Sequence, residues 1–151
     1  MLSKYLSVAE FERSETAKRL GIINKTDVLH VQNAQTLALN VYDKIREQFG
    51  PIFVSSGYRS VALNSAVPGS SKTSDHCFGR ALDLVSKING VSNKDIFLWC
   101  KSNLVFKQLI WELGDNNNPA WVHISYDKAN NKKEVLKASK NSSGLTVYAP
   151  F

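Results

Sequence analysis

The sequence is poor in cysteine and has no long apolar run. Its two cysteines, Cys77 and Cys100, stand far apart, without the C-x-x-C spacing of a redox or zinc-ribbon pair. Both are read as reduced bystanders or core residues. Cys77 adjoins His76, but adjacent side chains on extended backbone point to opposite faces, which argues against a shared metal. No stretch approaches the roughly 20 apolar residues of a membrane span. The N-terminal "MLSKYLSVAEFERSE" has no secretory h-region and turns acidic early. The chain is therefore expected to be made in a cytoplasm without a signal peptide and to have no membrane partner. Internal repeats, low-complexity tracts and nucleic-acid-binding motifs are missing too. The net charge of +6 thus has no recognition module behind it, and nucleic acid is not expected as a partner.

What remains is an ordinary globular composition. The 151 residues, 43% hydrophobic and 21% charged, fit one domain over residues 1–151, expected to act as a monomer. A chain of that length buries about two-thirds of the surface its unfolded form exposes. The positive charge suits polyanionic surroundings such as a phosphate-rich bacterial envelope. Lys132, Lys133, Lys137 and Lys140 form the one modest cluster, and general solubility explains it equally well.

The first half reads as helical. Ser7-Val8-Ala9-Glu10 has capping-box spacing, with a second start at Ser14 and a stop at Gly21. From Asp27, a plausible N-cap, Val31, Ala34, Ala38, Val41, Ile45 and Phe49 recur at helical spacing up to Gly50-Pro51. His30, in the first turn, has no second ligand nearby and reads as a plain helix residue. After Pro51 come short strand signals: "IFVSS", "RALDLVS", "FKQLIWEL" and "AWVHISY", then "KEVLKAS" and "LTVYA". A helix over Asn93–Lys101 separates the second from the third, and "GDNNNP" reads as a hairpin loop joining the third to the fourth. Helices first and strands after, without βαβ alternation, predict an α+β fold with N-terminal helices packed on a small antiparallel sheet.

One stretch breaks this plain reading. In "PGSSKTSDHCFGRALDL", His76 and Asp83 are seven positions apart around Gly79. Seven residues of helix would separate them by about 10 Å and seven of strand by about 23 Å. Two ligand atoms on one ion must each lie about 2 Å from it, so a turn is required, and Gly79 supplies it. His123 offers a third ligand, sharing a strand face with Trp121 and Ser125 while Val122 and Ile124 face the other way. Two imidazoles and a carboxylate leave a fourth tetrahedral position open to water, the composition of a catalytic zinc site. On residue types alone, a loop histidine, a solvated aspartate and a strand-edge histidine would explain the same pattern.

The stretches "SSGYRSVALNSAV", "SDHCFGRALDL", "FKQLIWE" and "WVHISY" resemble the zinc D-alanyl-D-alanine carboxypeptidase family of cell-wall peptidases, especially its small phage and prophage branch, whose metal centre is shared with the hedgehog signalling domain. The most specific piece is S-x-H-x-x-G-x-A-x-D, matched at Ser74, His76, Gly79, Ala81 and Asp83. The likeness implies one zinc ion per chain held by His76, Asp83 and His123, with Arg59 and Ser74 holding a peptide of bacterial peptidoglycan. It implies a hydrolase, and with no signal sequence such an enzyme is expected to act on the wall after release from the cell or to be carried in a virion. Relatives place an acidic general base three positions before the last zinc histidine, where this chain has Ala120. Glu112 is then the first candidate base and Asp115 the second. Strand register decides whether Glu112 faces the metal: opposite Trp121 it does, opposite Ala120 it does not. The alternative implied by Ala120 is a zinc-binding module that has lost hydrolysis.

Overall fold

A computed structural model describes all residues from Met1 to Phe151. The N-terminal segment is two short helices, α1 (Val8–Glu12) and α2 (Glu15–Leu20). Ser7 and Glu10 close the expected capping box, Ser14 caps the second helix, and Gly21 ends it in the left-handed conformation. The helix beginning after Asp27 runs through α3 (Val28–Leu37), a π-helical stretch (Ala38–Tyr42) and α4 (Asp43–Phe49). The regular spacing of its apolar residues does not announce the π stretch. There Asn40 donates from its side-chain amide to the Thr36 carbonyl, an intrusion of the kind that distorts a helical ladder.

The remaining elements are β1 (Phe53–Ser56), α5 (Val61–Ala66), a 3₁₀ turn (Asp75–Phe78), β2 (Ala81–Val85), α6 (Asn93–Asn103), β3 (Gln108–Glu112), β4 (Trp121–Ser125), β5 (Glu134–Lys140) and β6 (Thr146–Pro150). Ser60 caps α5, a helix too short to show a period in the sequence. The six strands form one sheet in the order β1-β2-β4-β3-β5-β6. The fold is α+β, as the order of elements predicts, but the sheet is not wholly antiparallel because β5 runs parallel to β3. The reason is topological. β4 is already flanked by β2 and β3, so the chain returning after β4 must take the free edge of β3, and in reversing on β4 it comes to run with β3.

Strand alternation sorts the sheet into two faces. Leu82, Leu84, Leu109, Trp111, Val122 and Ile124 join one apolar cluster with Leu37, Val41, Tyr42 and Ile45 of the long helix and Ile96, Phe97 and Cys100 of α6. Each such aliphatic or aromatic side chain contributes roughly 1.5–3 kcal/mol on burial. The intervening residues Asp83, Glu112 and His123 are also buried, but on the opposite side. No helix is long and apolar enough to cross a membrane.

Candidate metal centre

Two glycines place the first histidine. Gly79 ends the 3₁₀ turn at φ 71°, and an added Cβ there would lie 2.6 Å from the His30 carbonyl oxygen. Left-handed backbone and close approach both demand glycine. His30 thus serves the site through its main chain, while its ring closes the Asp27 capping box and lies against Tyr58. Gly57 lets the chain after β1 pass against Phe11, whose carbonyl oxygen would be 2.5 Å from a Cβ at that position. The Gly57 carbonyl in turn accepts a hydrogen bond from Nδ1 of His76 at 2.7 Å.

That bond fixes the chemistry of the ring. A carbonyl can only accept, so Nδ1 carries the proton and Nε2 presents a bare lone pair in the neutral imidazole. Burial lowers the pKa of His76 below its ordinary value, against the attraction of Asp83. Nε2 is buried without any hydrogen-bond partner, and Oδ1 of Asp83 stands 3.3 Å away. Asp83 itself is held well below the usual carboxylate range. Burial opposes its ionisation, but the attraction of the neighbouring His76 and the hydrogen bond from His123 outweigh that. A lone pair facing an ionised carboxylate is unfavourable unless a cation lies between them.

His123 completes the group. β2 and β4 pair so that Asp83 lies directly opposite His123, and the His123 Nδ1 is 3.0 Å from the same Oδ1. One donor atom from each of His76, Asp83 and His123 lies within 4.8 Å of the others. Ligands about 2.0 Å from a tetrahedral zinc ion are about 3.3 Å apart, so the spacings to Asp83 suit such an ion. The orphaned Nε2 and the composition of the donor set fit a divalent metal.

The other expected residues fall unequally. Glu112 pairs with Trp121, and Ile110 with His123, so Glu112 is on the face of the metal group. Burial pushes its carboxyl up to about 7, with Asp83 adding to the rise and His123 and Arg59 opposing it. Asp115, the second candidate base, is exposed in the hairpin loop and does not line the cleft. Its Oδ1 accepts from the Asn117 and Asn118 amides, which hold its pKa low; the turn chemistry that recommended the loop is what occupies it. Ala120 uses its amide to pair with the Glu112 carbonyl. Trp121 lines the cleft, whereas Trp111 packs in the core.

Arg59 and Ser74 both border the cleft, and both also have internal work. Arg59 donates to Ser56, to Asn64 and to Oδ2 of Asp83, the last at 3.3 Å, so it steadies the carboxylate oxygen turned away from the histidines. Ser74 caps the 3₁₀ turn by accepting from the His76 amide. Cys77 and Cys100 are unpaired, and neither belongs to the donor cluster. The cleft holds about 620 Å³ and is walled on one side by the Val67–Ser74 loop. The residues missed by sequence reasoning are Gly57, Asn64 and the cleft-facing part of β5 and β6. Gly57 and Asn64 lie inside the quoted "SSGYRSVALNSAV", but nothing in their type signals a carbonyl acceptor or an arginine anchor.

The buried group of two histidines and one aspartate could hold a metal ion, with a glutamate on the same sheet face. Residues 4–125 match the family model described as Peptidase M15, and the chain belongs to that family. No curated protein matches it.

Proposed function

We propose that the protein is a zinc-dependent peptidase, with one zinc per chain, that hydrolyses peptide bonds in the stem peptides of bacterial peptidoglycan. The observation that carries this reading is the partnerless Nε2 of His76 facing Asp83, in a cleft that also holds Glu112. His76, Asp83 and His123 would hold the ion. When bound, zinc supplies Lewis-acid polarisation of the scissile carbonyl and lowers the pKa of a water to about 7. Glu112 takes the proton from the attacking water on its carboxylate and returns it to the leaving amine. A carboxyl poised near neutrality suits both transfers. Arg59 holds Asp83 in place and, with Ser74, presents donors to the bound peptide. The chain acts as a monomer, on the wall after release from the cell or as part of a phage virion.

A metal-binding module without hydrolysis would need no carboxylate on the metal face beyond the ligand Asp83, and Glu112 supports the hydrolytic reading against it. The test is release of amino groups from purified peptidoglycan by the zinc-loaded protein and by Glu112→Gln. The wild type should be active and lose activity to a chelator, and the variant should lose about 10²–10⁴-fold in kcat while keeping its zinc. Zinc binding with no activity on any wall preparation would overturn the reading in favour of the module.

A further inference from the structure

The family match ends at residue 125, but the cleft continues beyond it. Its wall opposite the Val67–Ser74 loop comes from the β5–β6 hairpin, through Leu136, Lys140, Thr146 and Tyr148. Register explains which of these meets the reacting groups. Trp121 pairs with Glu112, Glu112 with Ala138, and Ala138 with Tyr148. Directly paired residues share a face, so these four form one row on the face that carries Asp83 and His123.

Between Glu112 and Tyr148 stands only the methyl of Ala138, which is 1% exposed. Strands lie about 4.8 Å apart, so the two backbones are roughly 10 Å from each other with no bulky side chain intervening. Tyr148 is half open, at 50% exposure. Its hydroxyl differs from that of Tyr42, which donates to the Ile52 carbonyl at 2.8 Å. The Tyr148 hydroxyl makes no hydrogen bond within the chain, and burial with the charges of Glu112 and Asp83, against Arg59, raises its pKa. The phenol therefore keeps its proton and has a donor free for a ligand in the cleft.

We infer that Tyr148 is a substrate-binding residue whose hydroxyl donates to a main-chain carbonyl of the peptide lying between the β5–β6 hairpin and the Val67–Ser74 loop. The hairpin outside the family match thereby helps set which peptides the cleft admits. The inference rests on the peptidase reading above and adds a residue to it.

Tyr148→Phe removes the oxygen and keeps the ring. With a soluble stem pentapeptide, KM should rise about fivefold while kcat changes by less than about twofold, as for loss of one neutral hydrogen bond made equally in ground and transition states. The dissociation constant of the same peptide, measured by calorimetry in the slow Glu112→Gln background, should rise by the same factor. An unchanged melting temperature would show that the hairpin is intact. Unchanged KM and unchanged affinity overturn the inference and leave the peptidase reading standing, as does a loss confined to kcat. A wild-type protein that neither cleaves nor binds the pentapeptide or peptidoglycan overturns both.

Discussion

On β2, β3 and β4 the residues turned toward the helices are Leu82, Leu84, Leu109, Trp111, Val122 and Ile124, while those turned toward the cleft include Asp83, Ile110, Glu112 and His123. The same backbone serves both faces, and both are buried. They differ in how they tolerate change. The helix face is held by many interchangeable apolar contacts, none of which is decisive. On the cleft face a few polar atoms have one acceptable arrangement each, because a buried polar group without its partner costs what many contacts supply. Stability is thus concentrated on one side of the sheet and chemistry on the other.

Substitutions can break this division. The largest effect should come from the cleft face. His123→Ala should lower zinc affinity by more than about a hundredfold, since even partners behind the ligands typically cost 10–100-fold, and it should abolish activity. Its metal-free form should melt closer to wild type than a core variant does. Equilibrium dialysis with a zinc indicator and thermal melts check this pair of outcomes; retention of tight zinc binding would remove His123 from the ligand set. Next, Leu84→Ala should cost about 2–5 kcal/mol of stability and leave the zinc affinity of the folded protein unchanged. A coupled loss of zinc would show that the two faces are not independent.

The third effect is a pH dependence of the metal-free protein. The Glu112 carboxyl is raised to about 7 from 4.5, so between those values the folded chain binds more protons than the unfolded one, and stability must fall as pH rises. The size is on the order of 3 kcal/mol, at about 1.36 kcal/mol per unit. Asp83 acts in the opposite sense, because its folded pKa is lowered; its contribution is complete above about pH 4 and lost as pH falls further. Urea titrations of wild type and Glu112→Gln at pH 5 and pH 8 should show the variant to be the more stable at pH 8 and nearly equal at pH 5. Equal stability at both would place Glu112 in water.

How much of this was legible in the sequence follows from the same contrast. Capping at Ser7, Ser14 and Asp27, the stop at Gly21 and all six strands are local signals, written within a few residues of where they act. Gly79 was legible because His76 and Asp83 cannot meet without a turn. The parallel placement of β5 was not, since it depends on which sheet edge is free once β2 has taken one side of β4. Glu112 could be named as a candidate, but its orientation depended on a register that the sequence left open between Trp121 and Ala120. Tyr148 carried no signal, because its place in the cleft arises from pairing through Ala138, in a segment beyond the resemblance.

The most direct test is anomalous diffraction at the zinc edge from crystals grown with stoichiometric zinc. The expected map shows one ion per chain, about 2.1 Å from Nε2 of His76, Nδ1 of His123 and a carboxylate oxygen of Asp83, with Glu112 close by and outside the ligand set. An ion bound elsewhere, or none at these three residues, would contradict the metal centre and everything built on it.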